Sequence, residues 1–234
     1  MSERGTSNEE IVGFGPTPLP DEAERAEVVR RFHKLFYDLG RDYGGTWSQT
    51  NWLGVPCLKS PFDAWVYQEI IHRNRPDVIV ECGTAFGGSA LFMASICSVI
   101  GNGRVITVDI SDIRHEYRPH ELVTYVLGSS IAPETLEQIR SRITPGESVM
   151  VVLDSNHRAG HVWRELRIYG ELVTPGQYMI VEDTNLGHEV RPEFGNGPAE
   201  AVELFLSQND DFARDPECEK FLMSFNHGGF LLKR

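Results

Sequence analysis

A chain of 234 residues, 41% of them hydrophobic, can bury a substantial core as one α/β domain. Its net charge of −12 argues against a nucleic-acid partner, because phosphate binding needs a basic surface and no Lys/Arg stripe is present. The polar start, Met1 to Glu10, carries no apolar leader, and no run approaches the roughly 18 apolar residues of a membrane span, so the expectation is a soluble, cytoplasmic protein without a membrane partner.

Residues 1–20, with Gly13, Gly15, Pro16, Pro18 and Pro20, read as an irregular arm. Asp21 and Glu24 have capping-box spacing, so a helix starts there. Ala26, Val29, Phe32, Phe36 and Leu39 then recur at helical spacing, and Gly40 stops the helix. Residues 41–59, with Tyr43, Trp47 and Trp52, show no clear period. Ser60-Pro61-Phe62-Asp63 starts a second helix with Pro at its first position, and Pro76 ends it. From there strand and helix alternate. Strands are expected over Val78–Cys82, Arg104–Ile110, Thr124–Leu127, Ser148–Leu153 and Tyr178–Val181. Helices are expected over Ser89–Ile100, Pro133–Ile143, His161–Val173 and Pro198–Ser207. Such alternation implies right-handed βαβ units around a parallel sheet. Lys220–Phe225 and Gly229–Lys233, joined by Asn226-His227-Gly228, read as an antiparallel hairpin. The expected fold is α/β: a Rossmann-like, doubly wound, mostly parallel seven-stranded sheet closed by a C-terminal hairpin. Cys57, Cys82, Cys97 and Cys218 lack C-x-x-C spacing and read as free thiols.

Acidic residues sit at the C-terminal ends of four of these strands, the edge where open parallel sheets bind ligands. Glu81-x-Gly83-x-x-x-Gly87-Gly88 follows the first strand and precedes a helix. Glycines there let the backbone turn and approach a ligand closely. The spacing departs from the dinucleotide pattern and resembles the methyltransferase version, an acid, one residue, then Gly-x-x-x-Gly. Glu81, Gly83, Thr84, Gly87 and Ser89 are therefore candidate cofactor residues. Asp109, ending the second strand, can accept hydrogen bonds from ribose hydroxyls. Ser129 and Ser130 follow the third strand, where adenine-edge contacts lie, and Asp154 closes the fourth. Asp154, Glu182 and Asp183 would bring three carboxylates to one edge, and their hard oxygens suit Mg²⁺ or Ca²⁺. Adjacent strand residues point to opposite faces, so joint ligation requires the strand to end by Glu182. His157, three residues past Asp154, is a candidate general base, with His161 a competitor one helical turn on. Trp47, Trp52, Trp163 and Phe86 are expected to pack in the core.

Five segments together resemble the cephalosporin hydroxylase/rhamnosyl O-methyltransferase family. They are Trp52-Leu53-Gly54-Val55-Pro56, Trp65-x-Tyr67-Gln68-Glu69, Glu81-x-Gly83-Thr84, Leu153-Asp154-Ser155-Asn156-His157 and Val181-Glu182-Asp183-Thr184-Asn185. The resemblance spans roughly residues 45–234 and implies a class I S-adenosylmethionine (SAM) methyltransferase domain, preceded by an arm and helix over 1–44 that shape a substrate pocket or subunit contacts. It implies Mg²⁺ ligation by Asp154, Glu182 and Asp183, SAM contacts around Gly83 and Asp109, and a base at His157. The implied reaction is O-methylation of a small natural product, foremost a deoxysugar hydroxyl in antibiotic biosynthesis, by a homo-oligomer. Two alternatives stay open: a component of β-lactam methoxylation, and a non-catalytic subunit that keeps the fold to support a partner enzyme.

Overall fold

The computed structural model describes residues 20–39, 45–111, 119–187 and 190–234. Residues 1–19 of the expected arm, the helix stop at Gly40, and Tyr43 lie outside the described residues. Helix α1, Glu22–Asp38, begins with the expected capping box: the Glu24 N–H donates to Asp21 Oδ1 at 2.9 Å, and the Asp21 N–H donates to Glu24 Oε2 at 3.1 Å. The aperiodic segment that follows holds a small antiparallel hairpin of β1, Asn51–Trp52, and β2, Val55–Pro56. Helix α2, Pro61–Asn74, leads into β3, Val78–Cys82, and α3, Gly88–Ile100. Next come β4, Arg104–Asp109, β5, Val123–Leu127, α4, Pro133–Arg140, β6, Val149–Leu153, and α5, Ala159–Gly170. The chain closes with β7, Tyr178–Val181, α6, Pro198–Leu206, β8, Phe212–Arg214, and β9, Phe230–Lys233.

Seven strands form one sheet in the order β5-β4-β3-β6-β7-β9-β8, with the first five parallel and β9 antiparallel to both its neighbours. Strands β3, β6 and β7 are buried along their whole length, as expected of a parallel sheet covered on both faces. The alternation of the pleat splits the core in two. Val78, Val80, Val151, Leu153 and Val181 face α5 and α6, against Leu166, Tyr169 and Phe205. Ile79, Val105, Val152 and Ile180 face α2 and α3, against Ile70, Ile71 and Met93.

Register positions the site. Cys82 stands opposite both Val108 of β4 and Leu153 of β6, and Leu153 stands opposite Val181 of β7. The next residue on each strand, Gly83, Asp109, Asp154 and Glu182, therefore emerges at one level. Strand order reverses between β3 and β6, which makes this edge the topological switch point where such sheets bind ligands.

The C-terminal antiparallel pair is present, but its first strand is Phe212–Arg214, not Lys220–Phe225. The apolar run that read as a strand is held elsewhere. Ser224 Oγ donates to Asp63 Oδ1 at 2.6 Å and the Phe225 N–H donates to Asp63 Oδ2 at 2.9 Å, while the Phe225 ring lies 5.2 Å from the ring of Tyr37. Other differences are shifts of one to three residues at element ends: α4 stops at Arg140, α5 runs from Ala159 to Gly170, β4 ends at Asp109, β6 begins at Val149, α3 begins at Gly88, β5 begins at Val123 and α6 stops at Leu206. All four cysteines are free thiols, and Cys57 alone is only half-buried. Trp52 packs on Phe92 at 4.9 Å and Trp163 against the α5 core. Phe86 is 41% exposed on the glycine turn, contrary to the expected core packing, because the sharp turn lifts it off the sheet.

Candidate active site

The glycine turn is shaped by contacts a side chain would prevent. Gly83 has φ +100°, and a Cβ there would meet the Asp154 carbonyl oxygen at 2.0 Å. The turn closes with the Gly87 N–H donating to the Thr84 carbonyl at 2.7 Å, Gly87 itself lying in the left-handed region at the start of α3. One carboxylate oxygen of Asp109, Oδ2, accepts both the Thr84 and Ala85 N–H groups at 3.0 Å, and Oδ1 accepts the Ser111 N–H at 2.9 Å. Asp109 thus stands half-exposed at the cleft, gripping the turn.

Glu81, Thr84 and Ser89 lie beneath that turn, all buried. Thr107 Oγ1 donates to Glu81 Oε2 at 2.6 Å, so the 2.8 Å contact between Thr84 and Thr107 is a donation from Thr84. Burial pushes the Glu81 carboxyl up to about 7, against the opposing pull of Lys59 and of hydrogen bonds from Ser89 and Thr107. These three side chains shape the turn from below, whereas Gly83, Gly87 and Asp109 front the cleft. Ser129 is half-exposed on the loop after β5, and the buried Ser130 Oγ lies 3.2 Å from His161 Nε2.

At the ends of β6 and β7 the acidic residues converge. Asp154, His157 and Asp183 place one donor atom each within 4.8 Å of one another. His157 Nε2 lies 3.3 Å from Asp183 Oδ2 and 3.9 Å from Asp154 Oδ1. Strand β7 ends at Val181, and Asp183 turns into the left-handed region at φ +53°, so its carboxylate swings toward His157. Its N–H donates to Asn226 Oδ1 at 3.0 Å. Glu182 is buried on the other side of this bend, where it accepts a hydrogen bond from the Tyr67 hydroxyl and lies 2.6 Å from Lys59 Nζ.

Lys59, Tyr67 and Tyr37 reach this cluster from other segments, and spacing arguments miss all three. The Lys59 ammonium is buried and pairs with both Asp154 and Glu182. Burial works against its charge, but Asp154, Glu182 and Glu81 outweigh that cost and hold it well above its ordinary 10.5. Burial raises the carboxyls of Asp154 and Glu182 above their ordinary values, and Lys59 opposes that shift in both. The one available signal was a lone Lys among Val55-Pro56-Cys57-Leu58, an apolar setting in which an unpaired ammonium is costly.

His161 is engaged away from this cluster. Its Nε2 is 3.2 Å from the Ser130 and Ser155 hydroxyls and 3.4 Å from the buried Glu165 carboxylate. Of the two histidines, His157 is the one beside the carboxylates.

The donor set suits a hard divalent cation. An octahedral Mg²⁺ binds oxygens at about 2.0–2.1 Å, so its ligands span up to roughly 4 Å, which a cluster of this size accommodates. The carboxylates of Asp154, Glu182 and Asp183 outnumber the one ammonium, that of Lys59, paired within the cluster among the described residues.

The family model described as Rhamnosyl O-methyltransferase/CmcI matches residues 44–234. A rhamnosyl O-methyltransferase of Mycobacterium leprae (strain TN) is 38% identical over 215 residues, covering 88% of this chain and 91% of the relative. One of Mycobacterium tuberculosis (strain ATCC 25618 / H37Rv) is 37% identical over 216 residues, covering 88% of this chain and 85% of the relative. Among solved structures, CmcI with Mg and SAM shares the fold at a TM-score of 0.63 and 21% identity, over 94% of this chain and 88% of that one. An O-methyltransferase from Bacillus cereus in complex with S-adenosylhomocysteine (SAH) shares it at 0.52 and 16% identity, over 84% of each chain. The mostly parallel sheet with its antiparallel end is the class I methyltransferase fold of these neighbours.

Proposed function

The chain belongs to the rhamnosyl O-methyltransferase/CmcI family and is a SAM-dependent O-methyltransferase, and from that premise we propose that it methylates a sugar hydroxyl of a small natural product with the help of Mg²⁺. The observation that carries the reading is the meeting of two half-sites at the switch point: the Gly83–Gly87 turn gripped by Asp109, and the cluster of Asp154, His157 and Asp183 beside it.

Gly83, Gly87 and Asp109 hold the SAM side of the cleft, with Asp109 presenting carboxylate oxygen to the ribose, Ser129 and Ser130 bordering the adenine, and Thr84 bracing the turn through Thr107. Glu81 and Ser89 support the turn from beneath. When bound, SAM supplies the methyl group and Mg²⁺ supplies charge stabilisation for the acceptor oxygen. Asp154 and Asp183 would hold the ion, while Glu182, expected as the third ligand, is paired with Lys59 and Tyr67. Hard cations prefer oxygen, which leaves the His157 imidazole free to act as the base rather than as a ligand. From its place against Asp183, His157 takes the proton of the acceptor hydroxyl. Orientation of acceptor oxygen toward the methyl carbon supplies much of the rate, since near-attack placement at about 3–3.5 Å can account for several orders of magnitude.

The test is turnover by the purified protein alone. Rhamnosyl and other deoxysugar glycosides are supplied with SAM, and SAH release and product mass are followed with Mg²⁺ or with EDTA. The expected result is SAH formation coupled to a gain of one methyl, abolished by EDTA and restored by Mg²⁺. Undiminished turnover in EDTA overturns the metal role, and no turnover with any glycoside overturns the sugar acceptor.

A further inference from the structure

Tyr37 sits near the end of α1, ahead of residues 44–234 that match the family model, yet its hydroxyl reaches the carboxylate cluster. It donates to Asp183 Oδ1 at 2.9 Å and lies 3.2 Å from Asn185 Oδ1. A phenol has one proton, and the shorter bond to an ionised oxygen is the stronger of the two. We propose that Tyr37 is a positioning residue: it holds Asp183 Oδ1 so that Oδ2 is turned toward His157, and it thereby makes α1 part of the cation site. This rests on the cation reading given above.

Three features support it. Asp183 is pinned at its backbone, where φ is +53° and the N–H donates to Asn226, so rotation of the carboxylate is the freedom left to it. Tyr37 answers that freedom by occupying one oxygen, and the other is the one 3.3 Å from His157. The tyrosine is itself fixed on both sides. Its ring stacks on Phe225 at 5.2 Å and 24°, and the Arg191 guanidinium lies 5.4 Å from the ring centroid while pairing with Asp38 at 3.2 Å. Phe225 is anchored in turn by the buried Asp63. A hydroxyl held this firmly presents Asp183 in one orientation, which a hard ion with strict geometry requires.

Tyr37→Phe tests this, because it keeps the ring, its stacking and its cation–π contact and removes only the hydroxyl. Mn²⁺ binding to the full chain without acceptor is measured by the loss of the free-ion electron paramagnetic resonance signal, with SAM affinity and melting temperature measured alongside. The expected result is Mn²⁺ affinity weaker by about 10–100-fold, as for loss of other groups that orient a metal's ligands, with SAM affinity within twofold. Mn²⁺ affinity within twofold of the unaltered protein overturns the proposal, as does a matching loss of SAM affinity, which signals general damage. No Mn²⁺ binding by the unaltered protein overturns the cation reading and this proposal together. Weakened Mn²⁺ binding in a protein that turns over no glycoside supports the role of Tyr37 and counts only against the sugar acceptor.

Discussion

Lys59→Met replaces a buried ammonium by an apolar chain of similar length, and its consequence can be worked from the site. Lys59 Nζ lies within hydrogen-bond distance of Asp154 and 2.6 Å from Glu182, and the residue is only 5% exposed. Without it, two carboxylates already pushed toward protonation by burial face each other with no resident cation. Removing one partner of a buried ion pair costs about 3–5 kcal/mol, because the remaining charge is stranded. For a chain of this length each kcal/mol moves the melting temperature by about 2–4 °C, so the metal-free variant should melt some ~6–20 °C lower. Both carboxylates have raised folded-state values and can relieve the strain by taking up a proton, so the loss should shrink as pH falls and grow as pH rises. A divalent ion offers the other relief, and saturating Mg²⁺ should raise the melting temperature of the variant more than that of the parent. Scanning calorimetry in EDTA and in Mg²⁺, at pH 5.5 and 8, reads all three effects. A variant that melts within about 2 °C of the parent in EDTA at pH 8 would refute the argument that Lys59 is the resident counter-charge of the cluster.

Asp109→Ala removes the acceptor of the Thr84 and Ala85 amides as well as the expected ribose contact, and SAM affinity measured by calorimetry should fall by about 1.5–3 kcal/mol. Unchanged affinity would remove Asp109 from the site. His157→Ala should lower kcat by roughly 10²–10⁴-fold with SAM affinity intact and partial recovery at high pH, whereas His161→Ala, held away among Ser130, Ser155 and Glu165, should cost under about tenfold; the reverse order in single-turnover assays moves the base to His161. The Glu81 carboxyl titrates near 7 in the folded chain against an ordinary 4.5, so the folded state binds the proton more tightly and stability falls as pH rises between those values. Glu81→Gln should flatten that part of the melting-temperature profile, and an unaltered slope argues that the group is ionised throughout.

The sheet was legible because its strands are continuous apolar runs ending in acids, and because parallel pairing brings those ends to one edge. Register then did what no spacing rule states: it put Gly83, Asp109, Asp154 and Glu182 at one level. What escaped were partners that act across the fold. Phe212–Arg214 is too short to show a period, while Lys220–Phe225 has strand-like composition but gives Ser224 and Phe225 to Asp63. Lys59, Tyr67 and Tyr37 each meet the cluster from a separate segment, Tyr37 over 146 positions, and beyond the apolar setting of Lys59 nothing local marks a lysine, or one tyrosine among several, as such a partner.

The two carboxylates that adjoin in sequence, Glu182 and Asp183, end up in unlike surroundings, and one backbone angle decides where the second of them points. A continued strand would also send them to opposite faces, but with Asp183 in a regular extended conformation. The left-handed turn at Asp183, held by Asn226 Oδ1, instead leaves Glu182 buried with Lys59 and Tyr67 and directs Asp183 to the half-exposed side with His157 and Tyr37. A non-glycine residue at positive φ carries a strain of about 1–3 kcal/mol that the surrounding contacts must offset. Here those contacts are the Asn226 and Tyr37 hydrogen bonds, so the strain and the asymmetry of the site have the same supports. Loss of Asn226 should therefore act on Asp183 first: Asn226→Ala is expected to weaken Mn²⁺ binding while leaving Lys59 paired with Asp154 and Glu182. Mn²⁺ affinity equal to the parent's in that variant would mean that the turn holds without its hydrogen bond, and that the backbone angle is set by the fold around it.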